Sequence, residues 1–492
     1  MVREASDSWS DRWGLVACLL LALAVRGVAM FARAEELTHD RDAYLGIAHG
    51  IAAGRGMCSP DSTTPTAFRP PLYPTLLGLL MVTLPTSVAV GLVNAVAGVV
   101  TVWATFRAGE SLGLGRASLI AAALVALDPM LLLYGTQPMT ESVCAGLVSL
   151  LILAVVGCPE SLNRPLNHDP AGLAPVEFGL CTTRTHLSNE GEEDEEVRRS
   201  ASYRGMPDGV SQRQVDQEIP RSRFGLVCSR SSGDRFRVGV LFGLLVLCRP
   251  TFWPLVGVLA VGCIFRTPQL SLRSLPWRVI AGTLLVVAPW VIRNQLVIGL
   301  PLLTTTHGGY TLLLANNSVF SNEVVDQPWG TVWSGESLAR WQAGLDERLE
   351  RELGPNASEL ERDHRLSQWG REFIAAEPLR FARAVWHRVR SLWSVVPHGD
   401  GDGEGGPSRL VIAAVGGFYS ILLLGFAVGM FVVARRSEWS RWWLLYALVI
   451  TVQGVHLVYW TNARMRAPLT PVIALFAVAA VERRAKRLLS DE

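Results

Sequence analysis

Long uncharged stretches alternate with short polar, mostly basic ones along almost the whole chain. Runs long enough to cross about 30 Å of hydrocarbon as helices fall near residues 13–31, 86–106, 117–134, 137–156, 276–298, 408–434, 441–460 and 466–481. Two shorter runs, 236–247 and 251–265, are parted by "CRPTFWP" and predict a pair of helices that turn at Arg249 and Pro250. The pattern predicts an all-α polytopic membrane protein with about ten transmembrane helices. The stretch "PPLYPTLLGLLMVTLP" (70–85) is apolar but short and carries Pro70, Pro71, Pro74 and Pro85. If it does not cross, the basic segments 107–116, 266–278, 434–441 and 482–487 all lie on the side of the N-terminus, as the positive-inside bias requires. An interfacial or re-entrant helix is therefore expected there.

This map divides the chain into an N-terminal transmembrane half (1–157) with a first outer loop (32–69), an insertion (158–235), central transmembrane helices (236–298), a second outer segment (299–407), and C-terminal transmembrane helices with a basic tail (408–492). The outer segments are expected to be extracytoplasmic. The insertion is expected to be cytoplasmic and disordered, because "NEGEEDEEVRRS" and its surroundings offer few large apolar residues to bury. Within the second outer segment, "EPLRFARAVWHRVRSLW" (377–393) repeats Leu379, Val385, Val389 and Leu392 at near-helical spacing among arginines, which predicts an amphipathic helix along the membrane surface. "HGDGDGEGGP" (398–407) then links it to the next span.

Composition agrees with this class: half of the 492 residues are apolar, 18% are charged and the formal net charge is +2. Nothing in that balance points to nucleic acid. The eight cysteines form neither a CxxC nor a zinc spacing. The first apolar run ends in "ARA", a pattern a signal peptidase can cut, but it is as long as a full span and reads as a retained helix.

The dense polar groups fall on one predicted face. Asp40 and Asp42 open the first outer loop, Arg69 precedes the Pro pair, and Glu141 begins the fourth span. Arg249 sits at an outer turn, Arg293 and Asn294 end the seventh span, and Arg464 and Arg466 lie between the last two helices. A charge inside a span costs about 2.5–3.5 kcal/mol on insertion scales, so Arg26 and Glu141 call for partners. His39 and His49 stand near Asp40, where a divalent cation could be held, and "NNS" and "NAS" are glycosylation sequons.

Taken together, "DRDAY", "LGIAHGIAAGRG", "RPPLYPTLLGLL", "DPMLLLYGTQPMTE", "RPT", "RN" with "HGGYTLLLANN", and "RMRAPLTPVIALFA" resemble the integral-membrane glycosyltransferases of the C superfamily. The likeness is to the branch of protein O-mannosyltransferases, lipid A aminoarabinose transferase and rhizobial core galacturonosyltransferases. It implies a polyprenyl-phosphate sugar as donor and an acceptor hydroxyl that attacks the anomeric carbon with inversion. It also implies a catalytic carboxylate at Asp40 or Asp42, since many members carry Asp-Glu where this chain has Asp40 and Arg41. Arg464, Arg466 and Arg249 would contact the donor phosphate, with Arg69, Glu141, Arg293 and Asn294 around the substrate. Such chemistry needs a base for the acceptor proton and cations for the departing phosphate. A transporter of lipid-linked sugars and a non-catalytic envelope-assembly protein are the alternative readings.

Overall fold

The computed structural model describes residues 2–60, 62–157, 232–266, 276–333, 335–396, 408–435 and 438–490. The N-terminal part holds α1 (Val2–Ala32), α2 (Tyr44–Ala52), α3 (Leu72–Met81), α4 (Thr86–Ser111), α5 (Ala117–Ala126), α6 (Pro129–Gly135) and α7 (Glu141–Val156). The centre holds α8 (Ser232–Cys248), α9 (Leu255–Arg266) and α10 (Trp277–Val297). The second outer segment contains α11 (Gly308–Ala315), the single turn α12 (Ser318–Phe320), α13 (Gly335–Leu353), α14 (Glu359–Ala376) and α15 (Pro378–Leu392). The last helices are α16 (Arg409–Arg435), α17 (Trp439–Val455) and α18 (Thr470–Ser490). Among the described residues there is no strand, only one isolated bridge between Cys58 and Pro65.

The protein is an all-α polytopic membrane protein, and every apolar run of the sequence is helical. Among the described residues five helices are long and apolar enough to cross a membrane: Asp11–Ala32, Thr86–Ser111, Trp277–Val297, Arg409–Arg435 and Ala463–Glu482. A sixth span forms if α5 and α6, bent by 42° at their junction, are taken together. The break has a local cause: Pro129 cannot continue α5 but suits the first position of a new helix. Asp128 caps that helix by accepting from the Leu131 amide at 2.9 Å. The interruption frees carbonyls, and Arg26, 2% exposed in the middle of α1, answers one of them by donating to Ala126 O at 3.3 Å. The run 70–85 yields only the ten residues of α3, about 15 Å of helix, too short to cross.

Two expectations are corrected in detail. The insertion expected over 158–235 ends earlier, because α8 already begins at Ser232; its disorder and the link 398–407 lie outside the described residues. The apolar set of 377–393 is divided, since Leu392 is buried and Leu379 is 78% exposed. Arg388 is buried too, donating to Leu457 O and Ala315 O at 2.9 and 2.8 Å.

Glycines set the closest helix crossing. A Cβ at Gly429 of α16 would overlap the Phe476 carbonyl of α18, a backbone atom that cannot rotate away. Gly429→Val is expected to cost about 1–3 kcal/mol by overpacking, read as an unfolding midpoint in detergent lowered by roughly 2–4 °C per kcal/mol. An unchanged midpoint would show that the two helices can part.

Candidate active site

The first outer loop turns sharply at Ala43, the one non-glycine residue with a positive φ (62°) among the described residues. A left-handed backbone there costs about 1–2 kcal/mol, and it sends the two neighbouring carboxylates to different partners. Asp40 reaches forward, and its Oδ2 accepts the Gly46 amide in the first turn of α2 at 2.8 Å. Its Oδ1 is enclosed and makes no hydrogen bond. Asp40 lines a cavity of about 480 Å³ with Thr38, Leu45, His49 and Thr86.

Asp42 instead joins a chain of alternating charges. Its carbonyl oxygen accepts from Arg69 Nε at 2.6 Å, and its Oδ1 lies 3.5 Å from Arg69 Nη2. Its Oδ2 lies 3.2 Å from Arg464 Nη2. Arg464 Nε is 3.1 Å from Glu141 Oε1, an ion pair without hydrogen-bond alignment. The same Oε1 accepts from Arg249 Nη2 at 2.9 Å, and Arg249 Nε donates to Thr140 Oγ1 at 3.1 Å. Three guanidinium groups thus face two carboxylates, which leaves one positive charge uncompensated. The side chains of Arg69, Arg249 and Arg464 keep 13–19% of their surface accessible, so a ligand can still reach them.

Burial works against the charge on Asp42, but the guanidinium groups of Arg464 and Arg69 outweigh it and hold its pKa below the usual carboxylate value. Asp42 is therefore ionised at neutral pH. His307, at the start of α11, packs its ring on Phe68 (4.3 Å between centroids) and stacks on Tyr310 (5.1 Å). Burial, reinforced by the charge of Arg69, lowers its pKa to about 3, so the imidazole is neutral. Arg69 lies between the rings of Tyr44 and Phe68, at 5.3 and 4.8 Å.

Five of the nine residues singled out in the sequence meet here: Asp42, Arg69, Glu141, Arg249 and Arg464. Asp40 adjoins them through the chain but shares no contact with the arginines. The other three do structural work instead. Arg466, expected as a phosphate contact with Arg464, is 2% exposed and donates to Leu392 O and Ser394 O at 2.7 and 2.6 Å, apart from the charge network. Arg293 donates to Thr66 O and Met57 O, both at 2.8 Å, and so ties the first outer loop to α10. Asn294 is buried and donates to Leu302 O at 3.1 Å. Neither faces the charge network. Among the described residues no three His, Cys, Asp or Glu side chains are grouped to hold a metal ion. The first sequon is closed, because Asn316 is 1% exposed and its amide nitrogen donates to Leu312 O and Val458 O.

The sequence did not single out Glu359, which binds the loop carrying Arg69 from 290 positions away. The only hint is the Ser358–Glu361 capping box, which marks where α14 begins.

No family model matches the chain. No curated protein matches it either. Among solved structures it is similar to the archaeal oligosaccharyltransferase AglB from Archaeoglobus fulgidus in complex with an inhibitory peptide and a dolichol-phosphate. That likeness has 12% identity, a TM-score of 0.47, and covers 98% of this chain and 52% of the other. The apo form of the Archaeoglobus fulgidus oligosaccharyltransferase gives 12% identity and a TM-score of 0.45 over 98% and 52%. ArnT from Cupriavidus metallidurans bound to undecaprenyl phosphate gives 14% identity and a TM-score of 0.39 over 96% and 78%. The chain spans about half the length of the oligosaccharyltransferases.

Proposed function

We propose that the protein is an integral-membrane glycosyltransferase that moves a sugar from a polyprenyl-phosphate donor to an acceptor hydroxyl with inversion, at the extracytoplasmic face of the cell membrane. The charge network carries this reading: three arginines held by two carboxylates, with one positive charge in excess, at the shared end of apolar helices. A lipid-linked phosphodiester carries one negative charge and would present it at that level. The arginines stabilise the phosphate as it leaves, a term commonly worth about 10²–10³ in rate for each donor lost. Asp40, whose Oδ1 has no hydrogen-bond partner, takes the acceptor's proton. The acceptor oxygen bonds to the anomeric carbon, the carbon–oxygen bond to the phosphate breaks, and its electron pair stays on the phosphate. Asp42, occupied on both sides, orders the arginines.

The test is binding of the carrier by the purified protein in detergent. Undecaprenyl phosphate at about 100 times its dissociation constant is expected to stabilise the fold by about 2.7 kcal/mol, and undecaprenol, which lacks the phosphate, by none of that increment. Arg249→Ala is expected to remove most of the difference. Equal stabilisation by both lipids would refute the anion site.

A further inference from the structure

The first two turns of α14 present two carboxylates on one face, Glu359 and Asp363, four residues apart. They face two loops that come from distant parts of the chain. Thr66 Oγ1 donates to Glu359 Oε2 at 2.6 Å, the Ala67 amide donates to Oε1 at 3.2 Å, and Thr306 Oγ1 also donates to Oε1. One turn on, the Gly309 amide donates to Asp363 Oδ1 at 2.6 Å. The loops are joined to each other as well, since the Thr306 amide donates to Ala67 O at 3.1 Å. Thr66, Ala67, Thr306 and Gly309 are all buried, while Glu359 and Asp363 are partly exposed. Arg69 follows Ala67 by two residues, and His307 lies between Thr306 and Gly309.

We propose that Glu359 and Asp363 are positioning residues which clamp the loops 66–69 and 306–309 together and thereby hold Arg69 and His307 at the anion site. The proposal rests on the functional reading above. Neither carboxylate touches the charge network; both act through the backbone that carries it. Loops without secondary structure of their own keep a fixed shape only where their amides and hydroxyls find partners, and here α14 supplies the acceptors. The outer helices are thereby made part of the active site without contributing a group to it.

Hydrogen exchange and lipid binding together test the clamp. Glu359→Ala is expected to raise amide exchange in residues 62–70 and 304–310 by about tenfold or more, and to weaken binding of undecaprenyl phosphate by about tenfold. Glu359→Gln, which keeps an acceptor for the Ala67 amide, is expected to recover most of both. Combined with Arg69→Ala, Glu359→Ala is expected to add little further loss of binding, because it acts through that arginine. Unchanged exchange in both segments would overturn the clamp. Raised exchange with unchanged binding, while Arg464→Ala binds poorly, would overturn the positioning role. If Arg69→Ala and Arg464→Ala bind the lipid as well as the wild type, the anion site itself fails, and the exchange result alone then decides for or against the clamp.

Discussion

Arg464→Ala is expected to lower sugar transfer by at least about 10²–10³-fold. Among the described residues Arg464 is the side chain that meets both carboxylates of the network, Asp42 at 3.2 Å and Glu141 at 3.1 Å. Its loss removes a contact to the leaving phosphate and also cancels the one excess positive charge that gives the site its preference for an anion. Glu141 keeps Arg249 at 2.9 Å, so the fold is expected to lose less than the ~3–5 kcal/mol typical of a buried charge left alone. Arg464→Lys restores the charge but cannot reach two carboxylates with a planar fork, so it is expected to recover only part of the activity. Transfer from a polyprenyl-phosphate sugar, assayed in membranes at matched protein level, is the measurement. Wild-type transfer in the Ala variant would remove the arginines from the reaction.

The second large effect is expected at Asp40. Removal of a general base commonly costs about 10²–10⁴ in rate, and Asp40→Asn keeps an oxygen that can still accept the Gly46 amide, so α2 stays capped. The loss therefore reports on proton transfer and not on folding. Asp42→Asn is expected to act differently: it leaves three arginines against one carboxylate, tightens the hold on undecaprenyl phosphate, and slows transfer less. If Asp40→Asn kept more than about a tenth of the turnover while Asp42→Asn lost nearly all of it, the two carboxylates would exchange roles. If both stayed active, the reading as a transferase would give way to that of a transporter or assembly protein.

Much of the fold is legible in the chain, because a bilayer forces each long apolar run to satisfy its own backbone as helix. The turn at Arg249 is equally readable, since proline fixes where a helix can start, whereas the reading of 117–134 as one run passes over the bend before Pro129. The site is legible as a set of residues but not as a geometry. Arg464 and Arg466 look equivalent in "RMR", yet they lie in the tight helical stretch Ala463–Leu469, where three residues complete a turn. Residues two apart therefore point different ways, one to the carboxylates and one to the carbonyls of Leu392 and Ser394. Arg293 is misleading for a related reason: a cation at a helix end can answer an anion or an irregular loop, and only the packed structure tells which. Glu359 gives no signal beyond the capping box beside it, because its partners lie on loops far off in the sequence.

The odd count of charges in the network has a consequence for turnover. A sugar phosphodiester carries one negative charge, whereas the carrier left behind after transfer is a phosphate monoester that can carry two. On the proposed mechanism Asp40 gains a proton in the same step, so the pocket becomes one unit more positive just as its occupant becomes one unit more negative. Substrate and product are each matched in turn, and the spent carrier is held fast until Asp40 gives its proton to water. The spent carrier is then expected to bind more tightly than the donor, and free polyprenyl phosphate is expected to inhibit transfer.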